Sequence, residues 1–418
     1  MMRQERRVVV TGMGAVSPNG IGRDAFWSAC RDGVSGSGPI SCFDPTEIPC
    51  KVAAEVRGFD VEAHLPPRAR RYGLRVVAMG LAAAGEALEQ AGLDPAALDS
   101  ESRRRTGVVI GTGAGGIAFG EEQYEAWFRE GYRKVSPYGV VATFVGMLSS
   151  EISMAFELRG MSHVVSTGCT SASDAMGYAL QALRAGWADR IVTGGAEACI
   201  APGIMAAFCR MGTMTTRNGD DPSRASRPFN RDRDGFVMGE GGWMLVFETL
   251  ESARGRGAPV LAEVVGYGTT CDAYHRVRPE PTGEEAARAI GLALDDAGVT
   301  PEEIGYVNLH GTATELNDRI ETKAVRLAFG DHADRLPTSA LKSMIGHPQG
   351  ACGAAGLVET IEAMRAGWLP PTINYESLDP ACDLDIVPNE GRPAEIGAAV
   401  VNCIAFGSKN SALVVRKP

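Results

Sequence analysis

One cysteine and two histidines stand in glycine-rich turns, where side chains are free to project from the backbone. Residues 163–186 read HVVSTGCTSASDAMGYALQALRAG, so a β-branched run enters Gly168, Cys169 follows, and small Ser, Thr and Ala residues open a helix. A sharp strand-to-helix turn projects a nucleophile into a cavity, and the positive end of the helix dipole favours a thiolate. A free thiol is only a few per cent ionised at neutral pH, so that help matters. His310 lies in YVNLHGTATELND (306–318), at the expected C-terminal end of a strand. His347 lies in SALKSMIGHPQGACGAAG (339–356), five residues after Lys342. Ligand sites of open α/β sheets gather at such strand ends.

A Cys–His–Asn hydrolase needs one imidazole and an orienting amide. A carbon–carbon bond former needs more: a thiolate that holds an acyl group as a thioester, and donors for the enolate left when a malonyl thioester loses CO2. Two imidazole N–H groups suit that enolate oxygen, and Lys342, a donor, would orient the site and fix the histidine tautomers. The two-histidine arrangement favours this second chemistry.

These groups must be positioned by repeated β/α units. LEQAGLDP (88–95) is echoed by LDDAGVTP (294–301), and ALRAGW (182–187) by AMRAGW (363–368). The shorter second offset places an insertion of about 25 residues between the two echoes of the first half. Strands are expected over 6–12, 106–113, 163–168, 190–196, 306–311 and 398–407, with helices over 72–92, 171–186, 284–298 and 353–367. Near-continuous apolar strands alternating with helices predict parallel sheet covered on both faces. ARGRGAP separates two halves, 1–257 with the cysteine and 258–418 with the histidines and lysine.

Composition narrows the class. The chain has 418 residues, 44% hydrophobic and 22% charged, with a net charge of −10. An acidic surface repels phosphate backbones, so no nucleic-acid partner is expected. The ten cysteines include no C-x-x-C pair, arguing against structural zinc and thioredoxin-type redox chemistry. Most of them read as buried thiols in a reducing compartment. The first residues offer only a three-valine run before Thr11, too short for a signal sequence, and no long apolar stretch spans a membrane. A cytoplasmic location is expected.

The motifs RRVVVTGMGAVSPNG (6–20), STGCTSASDA (166–175), SRPFNRDRDGFVMGEGG (226–242), HGTAT (310–314), LKSMIGH (341–347) and NCIAFGSKN (402–410) occur in one order along essentially the whole chain. In them the sequence resembles the decarboxylating, elongating β-ketoacyl-acyl carrier protein synthases. VVSTGCTSASDAMGYA is most similar to the α ketosynthase subunit of type II polyketide synthases. The resemblance implies the thiolase fold, an α/β fold of two duplicated βαβαβαββ halves in a five-layer α-β-α-β-α sandwich. It also implies roles: Cys169 as acylated nucleophile, His310 and His347 as decarboxylation groups, and Lys342 as organiser. The N–H groups of Cys169 and Phe406 would form the oxyanion hole, with Phe406 as gate. Thr312 and Thr314 would contact phosphopantetheine, and Asp318 and Glu321 would support Lys342.

Two departures from the family pattern stand out. AFGSKN, preceded by Ile404, replaces a more usual GFGGTN, and Gly356 occupies the position, nine residues after His347, where a glutamate is common. Glu359 is near but out of phase. No bound cofactor or metal is implied, since substrates arrive on the phosphopantetheine arm of an acyl carrier protein. That acidic partner would dock on Arg68, Arg70 and Arg71. The expected reaction is decarboxylative condensation of an acyl chain on Cys169 with malonyl-acyl carrier protein in polyketide synthesis, by a heterodimer with a chain-length-factor homologue. The alternatives are a homodimeric fatty-acid elongation enzyme and, in another class, a non-catalytic chain-length partner. Such partners lack the nucleophile.

Overall fold

The computed structural model describes residues 6–217 and 221–418; residues 1–5, part of the stretch read for a leader, lie outside it. Ten strands carry the architecture. In the first half they are β1 (Val8–Ser17), β2 (Thr106–Gly111), β3 (Ser162–Val165), β4 (Arg190–Glu197) and β5 (Gly241–Thr249). In the second half they are β6 (Ala262–Cys271), β7 (Ile304–Asn308), β8 (Thr338–Ser339), β9 (Ala398–Ala405) and β10 (Lys409–Arg416).

The first half pairs in the order β3-β2-β4-β5-β1 and the second in the order β8-β7-β9-β10-β6, the same path shifted by five strands. In each half the first three strands are parallel and the last two antiparallel. The halves meet edge to edge where β1 runs antiparallel to β6, with Val8, Val9 and Val10 opposite Val264, Glu263 and Ala262. This is the duplicated thiolase fold.

Layering follows from the period-2 alternation of side chains. Trp243, Leu245 and Phe247 of β5, with Leu413 and Val415 of β10, face a central core; Met244, Val246, Ala412 and Val414 face outer cores. Both faces are buried, hence the unbroken apolar strands. Eight helices matter here: α1 (Arg75–Gln90), α2 (Ile117–Glu130), α3 (Gly139–Thr143), α4 (Met147–Ala155), α5 (Ser171–Arg184), α6 (Glu284–Ala297), α7 (Glu315–Phe329) and α8 (Cys352–Ala366). The central layer is α5 and α8, packed among residues of both half-sheets. Helices α1 and α4 cover one outer face, and α6 and α7 the other. The sequence echoes sit at equivalent places, at the ends of α1 and α6 and of α5 and α8. The inserted residues fall at 112–146, where the second half has only 309–314, and they form α2 and α3.

The turn that presents the cysteine leaves no room at Gly111, at the end of β2. A Cβ there would come within 2.2 Å of Ala172 N and 2.3 Å of the Ser171 carbonyl carbon, so strand end and helix start touch backbone to backbone. Gly111→Ala must therefore push α5 outward, and overpacking of this kind costs about 1–3 kcal/mol. The expected outcome is a lower urea midpoint at unchanged slope; an unchanged midpoint would contradict the packing described.

Candidate active site

Cys169 sits four residues beyond β3 at the start of α5, after Gly168 at φ +72°. His310 follows β7, and His347 follows the short helical turn Lys342–Ile345. The fold brings all of them together: Cys169 Sγ lies 3.2 Å from His347 Nε2, and the two imidazoles stand 5.4 Å apart at 86° to each other. They open on a cavity of about 490 Å3 also lined by Thr312, Thr314, Phe236, Ile404 and Phe406.

His347 is held by its backbone, which donates to Val237 O and accepts from Gly239 N. Its Nδ1 has no hydrogen-bond partner among the described residues, so the contact of Nε2 with the Cys169 sulfur alone bears on its tautomer. His310 differs, because Lys342 Nζ, a donor only, lies 3.4 Å from Nδ1 and also bonds the His310 carbonyl. That places the His310 ring proton on Nε2. Burial, with Lys342 adding to it, holds both imidazoles well below the ordinary histidine range, so both are neutral at pH 7.

The sulfur departs from the dipole argument. Cys169 is only 5% exposed, and burial pushes its thiol up to about 12, against the opposing pull of Lys342 and the Phe406 N–H. Loss of solvation outweighs the helix terminus, so the resting group is a thiol. Cys352 donates to the Cys169 carbonyl and lies 3.9 Å from Cys403, a packed thiol cluster beneath Cys169. Cys169 Sγ and nitrogens of both histidines lie within 4.8 Å of one another, near enough to ligate a metal ion.

The expected support of Lys342 by Asp318 and Glu321 is corrected by the geometry. Glu321 accepts from the backbone N–H groups of His310 (2.6 Å) and Gly311 (2.7 Å) and from Asn402. Asp318 accepts from Phe229 N and Thr312 N and pairs with Arg233. Both face the left-handed turn at Gly311 and Ala313 and hold it in shape. No ion pair joins Lys342 to a carboxylate among the described residues. Glu359, expected to be out of phase, is a carboxyl on which Lys342 acts electrostatically. Glu359 lies one turn beyond Gly356 on α8, and both face Asn308 at the end of β7: a Cβ at Gly356 would stand 2.6 Å from Asn308 Oδ1, while Glu359 accepts from Asn308 Nδ2 within electrostatic reach of Lys342.

Thr312 and Thr314 share a hydroxyl contact of 3.0 Å on the cavity wall, and Phe406 packs against Phe208, 6.4 Å between centroids. Arg68, Arg70 and Arg71 are exposed but do not line this cavity. Arg68 and Arg71 border a separate groove beside β3, and the cavity rim carries Arg278 instead. Arg278, Gln349 and the 117–155 helices escaped the sequence reading, which had no motif for them.

Fold and site define a condensing enzyme of the thiolase class. The comparisons agree: the β-ketoacyl synthase N-terminal domain model matches residues 5–253 and the C-terminal domain model residues 261–376. The chain belongs to the β-ketoacyl synthase family. It is 39% identical to 3-oxoacyl-[acyl-carrier-protein] synthase 2 of Coxiella burnetii over 414 residues, covering 99% of each, and 39% identical to the Staphylococcus aureus (strain COL) enzyme of that name over 416 residues, covering 100% of this chain and 99% of that one. Among solved structures, a type II polyketide synthase acyl-carrier protein in complex with its ketosynthase bound to the hexaketide matches with a TM-score of 0.91 at 31% identity, covering 99% of this chain and 100% of that one. The ishigamide ketosynthase/chain length factor matches with 0.88 at 36%, with the same coverage. The chain is an elongating β-ketoacyl-acyl carrier protein synthase. No helix among the described residues is long and apolar enough to cross a membrane.

Burial pushes the Glu359 carboxyl up to about 8, so the folded protein holds a proton that the unfolded chain, at an ordinary carboxyl value near 4.3, has lost. Between those values stability falls as pH rises, because the native state binds more protons. Glu359→Gln removes this contribution. Urea midpoints of wild type minus variant, taken from pH 4.5 to 8.5, should decline with pH; a flat difference would contradict the assignment.

Proposed function

We propose that this chain catalyses decarboxylative Claisen condensation in type II polyketide assembly, with malonyl-acyl carrier protein as extender. The observation that carries the reading is the 3.2 Å contact between Cys169 Sγ and His347 Nε2 with the His310 ring set across it. His347 takes the thiol proton as sulfur attacks the acyl-carrier thioester, then returns it to the departing carrier thiol. The malonyl arm enters along Thr312 and Thr314. Its C–CO2 bond breaks, CO2 leaves, and the electron pair becomes an enolate whose oxygen accepts an N–H bond from His310 and, once the acylated sulfur no longer donates to Nε2 and the ring proton has moved there from the unpartnered Nδ1, a second from His347. That carbanion attacks the Cys169 thioester, whose oxyanion is met by the N–H groups of Cys169 and Phe406, and expels the sulfur as a thiolate, which takes up a proton from solvent to restore the thiol. Lys342 holds His310 in the donating tautomer, and neutral rings suit donation without a prior proton loss.

The polyketide assignment is supported by the likeness to the two polyketide ketosynthase structures. The 39% identity to 3-oxoacyl synthases favours a second reading, fatty-acid elongation. The assembly separates them. Among the described residues strand β3 pairs with β2 alone, leaving an unpaired strand edge beside exposed Val141, Phe144 and Met154 and a groove of about 970 Å3. A second ketosynthase-type chain is the partner this face fits, and Arg68, Arg70 and Arg71 on the same side would meet a carrier protein within the paired assembly. Co-expression with a chain-length-factor homologue lacking the cysteine, followed by native mass measurement, should give a heterodimer. A homodimer that refuses the homologue would support fatty-acid elongation, and a monomer would overturn both.

The two histidines divide the chemistry, so His310→Ala should leave acyl transfer to Cys169 within about tenfold. It should slow CO2 release from malonyl-acyl carrier protein by about 100- to 1000-fold, the usual loss for one such donor. Equal losses in both half-reactions would contradict the division.

A further inference from the structure

The carboxamide of Gln349 also faces the nucleophile. Gln349 is 8% exposed, with Oε1 3.8 Å from Cys169 Sγ and Nε2 3.5 Å from the Met238 thioether. Both ends of the amide therefore meet sulfur, a weak donor and a weak acceptor, although a primary amide carries two N–H groups and two lone pairs. Turning the amide over changes nothing, since the alternative orientation again meets the same two sulfurs. A buried polar group left so poorly matched is costly.

The backbone adds to the anomaly. Gln349 sits at φ +38°, a left-handed conformation seldom adopted by residues with a side chain. The strain is locked in place: Gly350 donates to the buried Glu197 carboxylate (3.0 Å), which also accepts from Gly113 N (2.6 Å). A Cβ at Gly350 would stand 2.1 Å from Gly113 N, so the two loops touch directly. Strained residues held by their surroundings cluster at functional sites. Gln349 does not line the cavity of Thr312, Thr314 and Phe406, so it approaches the sulfur from elsewhere.

An acyl group on Sγ carries its third carbon two bonds beyond the thioester carbonyl carbon, and Gln349 Oε1 stands 3.8 Å from the sulfur that would carry it. The amide has two N–H groups and the Met238 thioether takes one, so a keto or hydroxyl oxygen on that carbon can accept the other. A methylene in the same place shields the amide from water and offers nothing. We infer that Gln349 is a specificity-determining residue that favours acyl chains carrying oxygen on carbon 3 over saturated chains of equal length. This deepens the proposed function and rests on its assignment of Cys169 as the acylated group.

The test uses the full-length protein with hexanoyl- and 3-oxohexanoyl-pantetheine as acyl donors, following Cys169 acylation by intact mass. The quantity read is the ratio of the two rates, compared between wild type and variants so that the donors' intrinsic reactivities cancel. Gln349→Met matches the side chain in length without a donor, and Gln349→Asn keeps an amide. The 3-oxo preference should fall on the order of tenfold in Gln349→Met and be largely kept in Gln349→Asn. A ratio unchanged in Gln349→Met, or lost equally in both variants, would overturn the inference while leaving the condensing function intact. Failure of wild type to load either donor on Cys169 would overturn the proposed function itself. Should Gln349→Met not fold, Gln349→Leu carries the same comparison.

Discussion

The 3.2 Å approach of a sulfur from the first half to an imidazole from the second is the contact on which the molecule is organised. Neither half holds a working set of groups by itself. Cys169 needs α5 and the tight junction with Gly111, and His310 and His347 need β7, β8 and the turns that follow them. The antiparallel meeting of β1 with β6 and the central pair α5 and α8 set these turns opposite one another. Duplication followed by fusion thus supplies two equivalent strand-end sites and merges them into one cavity.

Burial is the price of that merger and also what makes the site usable. The same desolvation that keeps the sulfur protonated keeps both imidazoles neutral, with Lys342 reinforcing the effect on the rings. Neutral rings donate N–H bonds, while a buried thiol needs a base within contact distance, and His347 is the group that is there. Three carboxylates hold backbone and not the lysine: Glu321 and Asp318 set the 310–312 turn, and Glu197 sets the 113–114 and 350 loops. Fixed backbone, more than paired charge, positions the reactive atoms.

Much of this was legible in the chain. The strand and helix runs, the echoes at 88–95 and 294–301, and Cys169, His310, Lys342 and His347 could all be read, because glycine-flanked turns after β-branched runs have a definite physical meaning. Carboxylate partners could not be read. Asp318 and Glu321, three apart on α7, are equally suited by spacing to a lysine or to backbone N–H groups, and only the path of the 310–314 turn decides. Glu359 was read as near but out of phase, yet it and Gly356, three apart on α8, both face Asn308, a contact that counting from His347 does not show. The sign of the thiol shift also lay outside the sequence, where the helix start was visible but the depth of burial was not. Helices α2 and α3 were expected only as an insertion.

The whole reaction depends on which sulfur carries the acyl group. Incubation of wild type and Cys169→Ala with an acyl-carrier donor, read by intact mass, tests this directly. Wild type should gain one acyl mass that persists in buffer, and the variant none, with Cys352 and Cys403 still present and unmodified. An acyl adduct of equal yield on Cys169→Ala would contradict the assignment, and the mechanism built on the sulfur–imidazole contact would fall with it.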